Sequence, residues 1–262
     1  MAYLSLSRHD INVLEKIKDP EADPTSLVLT DPSLARDPHI TDASVYDGVA
    51  ARERGIILEV QQAEVRAAGN QSKSDENLPG CYREQLSKLD ELIREHPNYA
   101  SARNNRVQVF RRLYGDGMLV EGAATLCLYR DASAEERNAA AATALEDLET
   151  SLRLLSPPKL VVAVSPQVAK TLSLAYTQRA AIYHTTAKLI GSHRLSAPEG
   201  RDEAGWSTLD FEEAAARDFA MGAKYGNEIA RGLAVSVNPT AKLCGKMVRE
   251  AMKSEYGPAF AS

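Results

Sequence analysis

Apolar residues recur along most of this chain at the three- and four-residue spacing that is typical of amphipathic helices. In the stretch 44–68, Val49, Ile56, Val60 and Ala63 fall on one face of a helix. Similar stretches follow one another to near the end of the chain, separated by short runs rich in Gly, Pro, Ser and Asp. The pattern predicts an all-α fold.

Several helix starts can be located from residue type alone. A helix begins readily where a side-chain oxygen can accept a backbone N–H and an acid or a proline follows in the first turn. Four residues meet this condition: Ser133, Ser165, Ser207 and Asn238. Turns or loops are predicted at 78–80, 115–117, 156–158 and 191–206.

The first 43 residues follow a different pattern. Ile11, Leu14 and Ile17 have helical spacing, which predicts a short amphipathic helix that docks onto the body of the protein. Each proline that follows removes a backbone donor and disfavours helix at the preceding residue, so an extended, turn-rich arm is expected. The four Asp-Pro pairs begin at Asp19, Asp23, Asp31 and Asp37.

The predicted helices are paired, with small residues where the two helices of a pair cross and a proline closing the unit. Leu89, Leu92 and Pro97 have the spacing of the end of a second, or B, helix, and the next first, or A, helix begins at Ala100. Further helices are expected around 144–149 (B), 178–183 (A) and 215–222 (B).

This pairing is typical of a tetratricopeptide-type helix-turn-helix solenoid. The spacing within each pair exceeds the standard repeat by roughly 20 residues, which indicates insertions in the turns between A and B helices, on one edge of the solenoid. The predicted organisation is a helix and arm (1–43), three repeats within 44–236 (about 44–97, 98–158 and 159–226), a C-terminal capping helix (237–254) and a tail (255–262).

The charge of the chain and its sequence motifs exclude several classes of partner and activity. The net charge of −5 and the mixing of acids with bases argue against nucleic acid and membrane partners. The three cysteines have no metal-binding spacing, and no signal-peptide pattern is present, which favours a cytoplasmic and also a nuclear location. No nucleophile with its base, metal-ligand spacing or phosphate-binding glycine loop is apparent, so we expect no enzyme activity, cofactor or metal.

Motifs spread over most of the chain resemble the tetratricopeptide repeat protein 36 family. The resemblance implies three repeats with a closing helix, association with heat-shock chaperones, and protection of an enzyme of tyrosine breakdown. The motifs lie at 14–20, 54–55, 99–116, 144–152, 178–179, 217–219 and 238–247.

The last of these motifs also has a physical interpretation. The end of a solenoid exposes an apolar face, and a capping helix covers it while its own other side is polar and faces solvent. We expect Leu243, Met247 and Met252 to make apolar contacts, and Cys244 to be a small buried side chain.

A partner would bind in the concave groove that the A helices line. Asn105 is the most informative candidate, since its amide can pair with a peptide backbone or a carboxylate; the alternative is a structural amide that bonds a neighbouring helix. Counted from the repeat pattern, the groove candidates are Arg52, Ile56, Glu59, Asn104, Asn105, Gln108, Arg111, Arg112, Thr177, Ala181 and His184.

The function predicted from these observations is that of an adaptor or stabilising partner for a cytosolic protein. The two-carboxylate clamp that grips chaperone C-termini is not expected, because Ile56, Leu174 and Gln178 stand where Asn, Lys and Arg are needed. The alternative is a scaffold that self-associates through its inserted turns. A further hypothesis is that the N-terminal arm occupies the groove.

Overall fold

The computed structural model describes residues 28–69, 78–122, 127–158 and 162–256. The predicted helix around Leu14 and the predicted tail, 255–262, lie wholly or mostly outside the described residues.

Helices account for the regular structure of the described part. Only two isolated β-bridges occur there and no strand, which confirms the all-α prediction. The helices are α1 (Ala43–Gly69), α2 (Leu78–Glu95), α3 (Ala100–Tyr114), α4 (Ala134–Leu155), α5 (Pro166–Leu189), α6 (Thr208–Lys224), α7 (Glu228–Val237) and α8 (Pro239–Tyr256), with a 3-10 turn at Asp202–Gly205.

Each helix packs mainly on its neighbours in the chain, as in a solenoid. We assign the pairs α1 and α2, α3 and α4, and α5 and α6 to the A and B helices of the three predicted repeats, and α7 and α8 follow. One continuous apolar core runs through the stack. Its largest fully buried side chains include Leu89, Leu92, Leu113, Leu145, Leu148, Leu172, Ile182, Phe211 and Phe219.

All four predicted helix starts are confirmed. In each, the side-chain oxygen accepts a backbone N–H from the first turn, at Ser133, Ser165, Ser207 and Asn238. The turn predicted at 78–80 is wrong, because these residues form the first turn of α2. Pro79 is tolerated there since a first-turn N–H has no partner within the helix.

The insertions of the second and third repeats meet at one edge of the stack. Val120 and Leu195 form an antiparallel bridge, and the backbone N–H of Ser196 donates to the carbonyl of Leu119 at 2.8 Å. The segment 190–207 is therefore bonded to the segment 115–122.

The described part of the N-terminal arm follows the other edge, where A helices begin and B helices end. Thr30 forms a parallel bridge with Val164, just before α5, and the N–H of Val28 donates to the carbonyl of Lys224 at 2.9 Å. Further along, the His39 ring bonds the carbonyl of Leu154 at 3.0 Å. The arm thus contacts the ends of α4, α5 and α6.

The C-terminal helix α8 follows the repeats as predicted, but Leu243 and Met247 do not make the expected apolar contacts, while Met252 is half-buried. Leu243 and Met247 are 58% and 60% exposed, and Cys244 is exposed, where a buried side chain was predicted. The reason is that α8 contacts α6 and α7 over only a few residues. Within the described residues no helix has the length and apolarity needed to cross a membrane.

Candidate functional site

The candidates on α1 face the first repeat itself. Arg52 forms ion pairs with Glu95 and, at 3.2 Å, with Glu91 of α2. Glu59 accepts from Lys88 of α2 at 2.6 Å. Ile56 is only 5% exposed and belongs to the core, so it is not accessible to a partner.

The two asparagines of α3 join it to the A helices on either side. Asn105 Nδ2 donates to Glu53 of α1 at 2.7 Å. Asn104, only 3% exposed, donates to the carbonyl of Thr171 at 2.8 Å and accepts from Gln178 of α5 at 3.0 Å. The amide of Asn105 thus bonds a neighbouring helix, as in the alternative of a structural amide. Asn104 is not accessible to a partner.

Glu53 is a shared acceptor at this junction. It is 8% exposed and receives the hydroxyl of Tyr99 at 2.6 Å as well as the Asn105 amide. Burial, together with the charge of Glu53, raises the pKa of Tyr99 far above its ordinary value, so the tyrosine remains a donor.

The same kind of link continues from α5 to α7. Asn227, which caps α7, donates to Thr177 Oγ1 at 3.0 Å, and Thr177 donates to the carbonyl of Ser173 at 2.7 Å. Hydrogen bonds between side chains therefore run from α1 through α3 and α5 to α7. We call this row of bonds the A-helix ladder.

The exposed candidates lie beside the ladder. Gln108 is exposed. Arg112 has a side chain 60% exposed and pairs loosely with Glu64 of α1 at 3.4 Å. Arg111 bonds Asp116 through two nitrogens, at 2.6 and 3.0 Å, at the start of an insertion. Gln108 and Arg112 are thus the accessible polar groups of α3.

The α5 candidate His184 is half-buried and packs edge-on against Phe219 of α6. Burial lowers its pKa, and the nearby ammonium groups of Lys188 and Lys242 act in the same direction. Among the described residues its buried Nδ1 has no hydrogen-bond partner. The other α5 candidates, Thr177 and Ala181, are half-buried.

A repeated ion pair between A and B helices was not found by sequence reasoning. In the second repeat Arg103 and Arg106 of α3 bond Asp147 of α4, and in the third Arg179 of α5 bonds Asp218 of α6, all at 2.6–2.8 Å. The two aspartates are only 1% and 3% exposed. One sequence pattern could have indicated this ion pair. Arg106 directly follows Asn105, Arg179 directly follows Gln178, and both preceding residues have an amide side chain.

A polar cavity of about 290 Å³ lies between this pair in the third repeat and the inserted segment. Five of its charged groups bond one another: Arg179 with Asp218, and Arg201 with Glu149 and Glu203. Glu203 also accepts from the buried hydroxyl of Tyr183 at 2.6 Å. Although burial opposes it, hydrogen bonding from Arg201 and Tyr183 lowers the pKa of Glu203, so the carboxylate remains charged.

The cavity is thus a place where the insertion is fastened to the repeat. No group of three or more His, Cys, Asp or Glu side chains suited to a metal occurs in the part of the chain that the structure describes.

Comparison with known proteins gives relatives over nearly the full length. The chain is 33% identical over 258 residues to the L-tyrosine degradation gene cluster protein hmgX of Aspergillus fumigatus, covering 96% of this chain and 93% of that protein. It is 28% identical over 252 residues to tetratricopeptide repeat protein 36 of Danio rerio, covering 96% of both.

A third relative is the tetratricopeptide repeat protein 36 homolog of Drosophila pseudoobscura, 27% identical over 248 residues and 95% of both chains. No family model and no solved structure matches. The Danio rerio and Drosophila pseudoobscura relatives are named as tetratricopeptide repeat proteins, and none of the three names is that of an enzyme. With its paired helices and its similarity to these proteins from end to end, the chain belongs to the tetratricopeptide repeat protein 36 family.

Proposed function

We propose that this protein binds a partner protein along the exposed side of the A-helix ladder and acts as an adaptor or stabilising partner in the cytoplasm, and also in the nucleus. The observation that supports it best is the position of Gln108 and Arg112. Both are exposed on α3, whose neighbouring asparagines hold it to α1 and α5. A surface already fixed by such bonds loses little conformational entropy on binding.

The chemistry of these side chains suits an extended or acidic segment of a partner. The Gln108 amide can donate to and accept from a peptide backbone, and the Arg112 guanidinium can bind a carboxylate through two nitrogens. The existing pair of Arg112 with Glu64 is long and exposed, so exchanging it for a partner's carboxylate costs little.

For the partner we propose an enzyme of tyrosine breakdown. The support is the name of the Aspergillus fumigatus relative, which refers to an L-tyrosine degradation gene cluster. Binding would stabilise the enzyme by mass action, because a ligand that binds only the folded state lowers the population of the unfolded state.

A heat-shock chaperone is the second partner class that the family resemblance implies. The clamp positions Ile56, Leu174 and Gln178 carry no charge, and Ile56 and Gln178 are 5% exposed each. We therefore propose that any chaperone contact uses a surface other than a two-carboxylate clamp.

The test is binding of purified tyrosine-breakdown enzymes to wild-type protein and to Gln108→Ala plus Arg112→Ala. We expect at least tenfold weaker binding in this variant. The matched control is Glu146→Ala plus Arg153→Ala, two exposed residues of the B helix α4, with circular dichroism to show that both variants are folded. Equal binding by wild type and both variants would place the partner elsewhere.

Self-association through the inserted turns is the alternative function. A mass that rises with concentration in sedimentation would support it, and a constant monomer mass would exclude it.

A further inference from the structure

A surface groove of about 520 Å³ lies between the first half of α5 and the corner that joins α6 to α7. Two large apolar side chains on its walls are exposed, Leu174 by 38% and Ile229 by 74%. The other apolar residues of its lining are Tyr225, Pro166 and Ala169. A concave apolar surface of this kind is typical of a site that another segment covers.

The groove continues the surface proposed to bind a partner. Leu174 lies one turn before Thr177 and two turns before Ala181, so the three share a face of α5. Asn227, which bonds Thr177 across the ladder, is also part of the groove wall. An occupant of the groove would therefore cover one end of the partner surface.

The chain reaches this groove from its own N-terminal side. Thr30 forms part of the groove wall, and the N–H of Val28 is bonded to Lys224 at the adjoining corner. The 27 residues that precede Val28 include the only Ile-Leu-Ile set at helical spacing before the arm, Ile11, Leu14 and Ile17.

Length and charge both permit these residues to bind there. The eleven residues from Ile17 to Val28 span at most roughly 40 Å when extended, which is ample for a return to a groove beside Thr30. Asp10, Glu15, Lys16 and Lys18 lie beside the apolar positions and together carry no net charge. The groove wall carries one residue of each sign, Glu228 and Lys170, and Lys170 is exposed and forms no ion pair with any described residue.

We propose that residues 10–18 form a short amphipathic helix that docks in this groove, with Leu14 and Ile17 against Leu174 and Ile229, and competes with the partner for that end of the ladder. Because the segment is tethered, its effective concentration is in the millimolar range, so a weak contact suffices to fill the groove. A partner with higher affinity displaces it. The competition rests on the proposed function, whereas the docking does not.

Docking is tested in the full chain with the photo-crosslinker p-benzoylphenylalanine placed at Ile229. We expect crosslinks to residues 10–18 within a single chain, identified by mass spectrometry. The control places the same group at Val235, which is 68% exposed on another side of α7 and should not crosslink to that segment. Absence of the crosslink from Ile229, equal yields from both positions, or crosslinks joining two chains would overturn the docking.

Competition is tested with Leu14→Asp plus Ile17→Asp, which precede the described body and leave its core unchanged. This variant should lose the crosslink and bind the partner about tenfold more tightly, as expected if the groove is filled in about nine tenths of free molecules. Loss of the crosslink with unchanged affinity would overturn the competition. If no partner binds either form, the proposed function fails, while the crosslink still decides the docking.

Discussion

The first repeat and the two that follow it join their A and B helices in different ways. Between α1 and α2 the ion pairs are exposed, such as Lys88 with Glu59, and a half-buried hydrogen bond joins Tyr82 to Glu64. Between α3 and α4, and between α5 and α6, a buried aspartate, Asp147 or Asp218, receives arginines from the A helix. The ion pairs between A and B helices are thus solvated in the first repeat and buried in the other two.

The difference shows where the geometry of the stack is fixed. A buried carboxylate must be met by its arginines at bonding distance, or its desolvation is not compensated. Burial alone would lower the pKa of Arg179, but the charge and hydrogen bonds of Asp218 raise it well above its ordinary value. The second and third repeats, whose insertions also bond each other, are therefore expected to be the more rigid part.

Among the predicted changes, removal of a buried aspartate should lower the free energy of unfolding most. Asp147→Ala leaves Arg103 and Arg106 without their buried partner, and we expect a loss of about 3–5 kcal/mol in the free energy of unfolding. Urea unfolding followed by circular dichroism measures it. The matched change in the first repeat, Glu59→Ala, removes an exposed pair and should leave the transition unchanged within error. Similar losses in the two variants would refute the difference between the repeats.

Substitutions at two glycines, one in the third repeat and one in the first, compare how closely the helices of these repeats pack. A Cβ at Gly222 of α6 would lie 2.6 Å from Thr177 Oγ1 and 3.3 Å from Ala230 Cβ, so Gly222→Ala should destabilise by about 2 kcal/mol. At Gly55 of α1 a Cβ would meet nothing within 4 Å. Gly55→Ala should therefore stabilise by about 0.5–1 kcal/mol, because alanine is the better helix former.

Thermal and urea unfolding of both glycine variants provide the measurement. If Gly222→Ala stabilised the protein, α5 and α6 could move apart with no loss in the free energy of unfolding. That would contradict the close approach of Gly222 to Thr177.

Features encoded locally were predictable from the sequence, and those that depend on helix crossing were not. The caps at Ser133 and Ser207 involve residues three positions apart, and both were found. The burial of Ile56 and Asn104 depends on how α1 and α3 lie against other helices, which repeat counting does not specify. The bond between Arg106 and Asp147 spans 41 positions, and only the fold brings its ends together.

The C-terminal helix shows the same limit. Its start at Asn238 was predicted from its cap, but the exposure of Leu243 and Met247 was not, because it depends on how far α8 lies from α6. For the candidate site, the repeat pattern predicted the A-helix face, and the structure shows which side chains of that face are exposed.

The junction between the first and second repeats can be tested at Tyr99. Tyr99→Phe removes the hydroxyl that bonds buried Glu53 at 2.6 Å, and leaves the ring in the core. We expect a loss of about 1.5 kcal/mol, since a bond to a charged group is stronger than a neutral one. The Asn105 amide still reaches Glu53, which limits the loss. If the urea midpoint does not change, the junction between α1 and α3 must open locally, so that water replaces the Tyr99 hydroxyl at Glu53.

The smallest predicted effect is a pH dependence at His184, in the third repeat. Its neighbours are Lys188 on α5, Lys242 on α8 and Glu212 on α6, and burial is the main cause of its lowered pKa. The unfolded chain therefore binds a proton at this residue at higher pH than the folded chain does. Its contribution to stability is present above the unfolded-state pKa of about 6.5 and is lost as pH falls through the lower folded-state pKa.

The measurement is the difference in urea midpoint between pH values of about 7.5 and 5 for wild type and His184→Gln. We expect the midpoint of the wild type to fall more than that of the variant, because glutamine cannot take up the proton. Parallel behaviour would show that Glu212, which bonds Lys242 at 2.7 Å, compensates the charge on the ring. In that case the surroundings of His184 would resemble the solvated contacts of the first repeat more than the buried pairs of the other two.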